Sequence, residues 1–179
     1  MEKDVLDVIR KRRTVRRFTD EEVTDEQVET ILEMGMYAPT YMNRKPWHFV
    51  VIRDKELQER LGETLGVRPY VQEASVVIAV YGEPEMSSTW DLDGAAAIEN
   101  MLIAATALGL GSAWAGSRGN LAWKEAEELM QAALKVPSGF RAFSLVCLGH
   151  EAKTVPPHTK DERYDKTRVH YGDWSKLNL

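Results

Sequence analysis

A chain of 179 residues, 44% apolar and 28% charged, has the size and composition of one soluble globular domain with a real core, and residues 1–179 are read as a single unit. A formal charge of −5 argues against a protein coated with nucleic acid or pinned to an anionic membrane, so neither is expected as a partner. The lone Cys147 excludes an internal disulfide; with no signal peptide and no apolar run near the ~20 residues of a membrane span, a cytoplasmic protein is expected. His48, His150, His158 and His170 stand far apart and no CxxC or HExxH occurs, so no metal site is expected.

The chain opens on a short helix with Val5, Leu6, Val8 and Ile9 as its apolar side, and runs into the basic stretch Arg10 to Arg17. Thr24 and Gln27 form a capping box for a second helix, with Val28, Ile31, Leu32, Gly35 and Met36 on one face and Pro39 as its stop. His48 to Ile52 reads as a strand, Asp54 caps a helix carrying Leu57, Leu61 and Leu65, and Gly66 to Pro69 is a break. The continuous apolar run from Ser75 to Tyr81 predicts a strand buried on both faces. Residues 91–109 predict a long helix, apolar nearly all round, whose alanines at 95, 96, 97, 104, 105 and 107 allow a neighbouring backbone to approach. Strand 112–116, helix 122–135 and strand 142–148 follow. From Glu151 the prolines and charges suggest an extended arm (151–179) without a core of its own, docked by Tyr164, Tyr171 and Trp174. Three or four strands with a large helical share give an α+β fold with an incomplete sheet, which the arm is expected to complete.

Three segments carry candidate chemistry. Six of the eight residues from Arg10 to Arg17 are cationic, and removing them would take the rest of the chain from −5 to −11. Such a run suits a phosphomonoester, with Thr14 adding a hydroxyl donor; a solvated basic face and an RNA patch are the alternatives. The segment Ala38 to Trp47 lies between a helix end and a strand, where Asn43 offers a donor and an acceptor to a heterocycle edge, or the prolines simply set a rigid connector. Gly109 to Gly116 either admits a group close to the backbone or caps a helix before a core strand. Its order, helix then strand, is the reverse of a dinucleotide fingerprint. Cys147 reads as an inert core thiol, His48 as structural, and Glu99 and Asn100 as satisfied polar groups in an apolar helix. No acid, base or nucleophile stands out, a pattern that suits a reaction carried by a cofactor.

In this order the segments resemble the nitroreductase family of FMN-dependent oxidoreductases. Arg12-Arg13-Thr14-Val15-Arg16-Arg17-Phe18 is similar to the family's RRS-x-R-x-F; Ala38-Pro39 with Asn43-Arg44-Lys45-Pro46-Trp47 to APS-x-x-N-x-QPW; Gly109-Leu110-Gly111 with Trp114 and Gly116 to GLG-x-x-W-x-G; and Arg163 with Val169-His170-Tyr171 to its closing segment. The resemblance implies a mixed, mainly antiparallel sheet flanked by helices, and a homodimer whose C-terminal arms are exchanged between protomers. It implies FMN at the interface: Arg12, Arg13, Thr14 and Arg163 at the phosphate and ribityl end with Arg16 nearby, Thr40 and Asn43 from the other protomer, and the backbone of Ala115 and Gly116 facing the reactive ring. Lys45 stands where the family usually has Gln, a cation at the pyrimidine edge that would favour anionic reduced flavin and raise its potential. Thr14 replaces Ser and keeps the hydroxyl. Tyr37 and Tyr41, beside the Ala-Pro motif, are placed to gate or stack on substrate. The implied activity is hydride transfer from NAD(P)H through the flavin to a nitroaromatic, quinone or related acceptor by alternating half-reactions. A family member with other flavin chemistry (dehalogenation, flavin fragmentation, dehydrogenation), a non-catalytic flavin-binding module and a nucleic-acid-binding protein using residues 10–17 are the alternatives.

Overall fold

The computed structural model describes residues 4–116 and 121–172. Its centre is the apolar run expected as a doubly buried strand. That run forms β2 (Val76–Gly82), buried at every residue. β2 pairs antiparallel with β1 (Trp47–Ile52) on one side and with β4 (Arg141–Gly149) on the other, and β4 pairs antiparallel with β3 (Gly111–Ala115). The four strands stand in the order β1-β2-β4-β3. The expected mixed sheet is therefore antiparallel throughout its strands, and the parallel contact among the described residues is an isolated bridge from Thr14 to Ser112.

Side chains alternate across the sheet with period two. Val77, Ala79, Tyr81, Leu145 and Cys147 enter one core, shared with Leu57 and Leu61 of α3 (Lys55–Thr64), Val71 of α4 (Arg68–Gln72) and Trp123 and Met130 of α6 (Leu121–Ala133). Val76, Ile78, Val80, Val146 and Leu148 enter the other, shared with Val28 and Ile31 of α2 (Asp25–Met36) and Ile98, Met101 and Leu102 of α5 (Trp90–Ala107). Cys147 lies wholly inside, and burial pushes its thiol pKa up, so it is the inert core thiol expected.

Local signals behave as their chemistry dictates. The Thr24–Gln27 capping box is complete, and Asp54 accepts the Leu57 N–H at 3.1 Å. The break at Gly66 is followed at once by α4, with Pro69 in the first turn, where a missing N–H has no partner to lose. Gly109 ends α5 in a left-handed conformation (φ 81°), with Gly109 and Leu110 N–H groups bonded back to Thr106 and Ala105. Gly35 admits Met101, whose Cε would lie 2.5 Å from an added Cβ. Two apolar faces differ from expectation. In α1 (Val5–Lys11) Val8 alone is buried, and Val5, Leu6 and Ile9 are exposed together with Met36 of α2. α5 is buried along one side only, leaving Leu92 exposed, as is Leu108 just past its end.

The segment after α1 is extended and crosses the edge of the sheet at β3 and β4: Val15 N–H donates to Ser112 O at 2.8 Å, and Thr19 N–H to His150 O at 2.9 Å. Gly111 permits this, because a Cβ there would meet Val15 and Glu151 at 3.0 Å. The arm leaves β4 beside it, with Phe18 bridging Glu151. Among the described residues the arm adds no strand to the sheet. It forms the short helix α7 (Lys160–Arg163), closed by a Thr159–Glu162 capping box, and a single 3-10 turn at Lys166–Arg168. Tyr164 and Tyr171 are exposed, and Trp174 lies outside the described residues. No helix among the described residues is long and apolar enough to cross a membrane.

Candidate active site

The basic run is divided three ways rather than presented as one patch. Arg10 and Lys11, still helical, face Asp7 at 3.4 and 3.5 Å. Arg17 pairs with Glu73 at 2.9 Å, and Arg16 lies close enough to Tyr70 to oppose part of the rise that burial gives that phenol's pKa. Arg12 and Arg13 turn elsewhere. Arg12 helps to line a cavity of about 590 Å³ together with Ile9, Arg10, His158, Lys160 and Arg163. Two residues 151 positions apart in sequence, both expected at a phosphate, thus meet in one cavity, whose wall is shared by Ile9 and Arg10 of α1 and by residues around α7 of the same chain. The Arg12 guanidinium also stands 3.5 Å from Glu99, so Glu99 of α5 faces outward to a cation rather than into the core. Its neighbour Asn100 is satisfied by donating to Met34 O at 3.2 Å. Arg13 acts electrostatically on His158, and its Nη1 is buried with no hydrogen-bond partner among the described residues. A buried guanidinium N–H without an acceptor is costly, and Arg13 does not itself line the cavity.

The loop Thr40 to Pro46 is the second part. Met42, Asn43 and Lys45 all hold left-handed backbone (φ 50°, 55° and 52°). Three clamps hold the loop. Asp93, buried in the first turn of α5, accepts the Tyr41 N–H at 3.0 Å and is itself bonded by Ser87 Oγ at 3.0 Å. Arg44 donates to Met86 O at 2.8 Å, with its guanidinium 5.7 Å over the Tyr41 ring. Thr40 Oγ1 accepts the Lys45 N–H at 3.1 Å. Thr40, Asn43 and Lys45 are thereby brought together, but none of them lines the Arg12–Arg163 cavity. Trp47 packs with Ala38 and Ala97, and His48 stacks edge-on against Phe140 at 4.7 Å, both structural as expected. Tyr37 is 73% exposed and borders a groove of about 400 Å³ between α2 and α5, while Tyr41 is half exposed on the loop.

The third part is the end of β3. Ala115 is buried and Gly116 turns with φ 80°. A Cβ on Gly116 would lie 2.1 Å from Trp123, so the turn is reserved for glycine twice over. Ser144 of β4 donates its hydroxyl toward both Ala115 O (2.8 Å) and Gly116 O (3.0 Å), fixing the turn from beneath.

The model of the nitroreductase family matches residues 9–69 and 63–150. The chain belongs to the nitroreductase family. An Archaeoglobus fulgidus protein named "Putative NADH dehydrogenase/NAD(P)H nitroreductase" is 33% identical over 175 residues, covering 96% of this chain and 99% of that one. Among solved structures, an FMN-dependent nitroreductase from Clostridium difficile R20291 superposes with a TM-score of 0.87 at 25% identity, over 94% of this chain and 99% of that chain. A nitroreductase with bound FMN from Desulfitobacterium hafniense DCB-2 superposes at 0.80 with 28% identity, over 97% and 100%.

Within this nitroreductase-family fold, sequence reasoning missed three residues that buttress the site. Asp93 sits in an alanine-rich helix and gave no signal beyond being a carboxylate among apolar neighbours. Ser144 was the one hydroxyl in the apolar run 142–148. His158 lies five residues before Arg163, and its role depends on a short helix that sequence did not announce. No group of His, Cys, Asp and Glu able to hold a metal occurs among the described residues.

Proposed function

We propose that this chain is an FMN-dependent oxidoreductase that passes hydride from NAD(P)H to a nitroaromatic, quinone or related acceptor in alternating half-reactions. The observation that carries the reading is the cavity of about 590 Å³ that brings Arg12 and Arg163 together with Arg10 and Lys160 around one space. A phosphomonoester dianion balances this concentration of positive charge, and the volume lies within the usual range for a small-molecule site. FMN, once bound, supplies the hydride-accepting and hydride-donating chemistry, and none of it requires a protein acid or base. Arg12, Arg13 and Arg163 hold the phosphate, and the Thr14 hydroxyl adds a donor. The Ala115–Gly116 backbone presents an N–H where negative charge develops, a fixed dipole that needs no reorganisation. The A. fulgidus relative's name points to NAD(P)H as the donor.

The same proposal includes a homodimer. Thr40, Asn43 and Lys45 stand outside the cavity of their own chain, and in this reading they complete the partner's site. The exposed Val5, Leu6, Ile9 and Met36, together with the groove between α2 and α5, supply apolar surface for such an interface. The part of the arm beyond Arg163 would reach across it. Purified protein should be yellow, elute as a dimer, and bleach on anaerobic addition of NADH or NADPH. The Arg12→Ala/Arg13→Ala double variant should fold and be colourless; full flavin occupancy in it would overturn the phosphate assignment.

A further inference from the structure

The cavity holds one group that the phosphate assignment does not use. His158 is half-buried in its wall, and its Nε2 lies in hydrogen-bond contact with Nη2 of Arg163. A guanidinium nitrogen only donates, so Nε2 must be the acceptor and the imidazole must carry its proton on Nδ1. Nδ1 faces Glu162 Oε2 at 3.7 Å. Glu162 is itself fixed, because its Oε2 accepts the Thr159 N–H at 2.7 Å in the capping box of α7. Thr159, Glu162, His158 and Arg163 thus form one chain of contacts that ends on the guanidinium.

We propose that His158 is a positioning residue for the phosphate end of the site, holding Arg163 in the orientation that grips the cofactor phosphate; this rests on the FMN reading above. The physical need is specific. α7 buries none of its residues, so the long Arg163 side chain has no packing to choose its rotamer. An unrestrained guanidinium gives up its rotamer freedom on binding, which weakens the ligand. The cations around the imidazole serve the same end. Arg13 and Arg163 both act on His158 against the carboxylate of Glu162, and Arg10, Arg12 and Lys160 line the same cavity, with Glu99 paired to Arg12. This excess of positive charge favours the neutral ring, the form that can accept from Arg163.

The test compares FMN with riboflavin, which lacks the phosphate. Dissociation constants for both are measured by fluorescence quenching on wild type, Arg163→Ala, His158→Ala and His158→Gln, the last keeping a neutral acceptor near the Nε2 position. His158→Ala is expected to weaken FMN by about two- to tenfold while leaving riboflavin unchanged, and His158→Gln to restore most of the loss. If Arg163→Ala lowers the FMN preference but His158→Ala does not, the His158 role is overturned and the FMN reading stands. If His158→Ala weakens both ligands equally, its role is structural and the inference fails. Wild type that binds the two equally, or neither, overturns the phosphate assignment itself and the inference with it.

Discussion

Ser144→Ala isolates how the sheet supports the turn at the end of β3. The hydroxyl carries one proton and shares it between Ala115 O at 2.8 Å and Gly116 O at 3.0 Å. Its removal leaves a void smaller than a methyl group, so packing contributes little and the loss is almost wholly polar. Ser144 is buried, so water does not readily replace the donor. Losing a buried hydrogen bond and leaving its acceptor short costs about 1–2 kcal/mol. For a chain of this length each kcal/mol moves the melting temperature by about 2–4 °C, so the variant should melt about 2–8 °C below wild type. The measurement belongs on flavin-free protein, since a bound ligand would add its own stabilisation. The variant should also bind FMN more weakly, because the loosened turn no longer presents a fixed N–H. A melting temperature within about 1 °C of wild type, on the same scale, would mean that the two carbonyls find other donors and that Ser144 does not fix the turn.

Gly116→Ala attacks the same turn from the other side: φ 80° and a Cβ 2.1 Å from Trp123 should destabilise the fold by about 2 kcal/mol or more in urea denaturation, and a loss below half of that would show that Trp123 yields freely. Lys45→Gln should lower the midpoint potential of the bound flavin by about 20 mV, the scale of one cation near 4 Å in high dielectric spread over a two-electron couple, read by anaerobic dye titration. An unchanged potential would place Lys45 away from the ring. The arm should lose local order in acid. Glu162, held by the Thr159 backbone and hydroxyl, and Asp165, held by Thr167 and Arg168, both have pKa values below the ordinary 4.5 and 3.8. Their contribution is therefore complete above those ordinary values and falls away as pH drops through the lowered ones. Limited proteolysis within 151–172 should accelerate there before the core unfolds, and uniform digestion with global unfolding would refute this.

Much of the framework was legible because it rests on short-range signals. β2 is a continuous apolar run, α2 carries its capping box, α3 its Asp54 cap, and α5 its closing glycine, each a local pattern with one structural meaning. The exposure of Val5, Leu6 and Ile9 was not legible, since periodicity says which residues share a face and not whether anything covers it. The same limit hid the arm's contribution. That Arg12 and Arg163 share a cavity depends on α7 facing α1 across it, a juxtaposition of long sequence separation that no spacing encodes. Asp93 was unreadable for a related reason: its value lies in a tertiary bond to Tyr41 N–H, fifty-two residues away.

The irregular backbone separates the site from the scaffold. Four described residues other than glycine have positive φ: Met42, Asn43, Lys45 and Lys135. Lys135 has an ordinary explanation, because it follows α6 and Val136 N–H bonds back to Gln131 O, the left-handed end common to helices. Asn43 has one too, since Asn enters this region more readily than most side chains, but Met42 and Lys45 have none. They end no helix of more than a single 3-10 turn, Met and Lys gain nothing from the left-handed region, and each such residue costs about 1–3 kcal/mol. The loop persists because Asp93, Met86 and Thr40 over-determine it. Such strain clusters where function demands a geometry that the chain would not choose. Here it coincides with the Asn43-Arg44-Lys45-Pro46-Trp47 motif, while the buried N–H without an acceptor coincides with Arg13. Two independent departures from local physics therefore fall on two of the four motifs that carry the family resemblance.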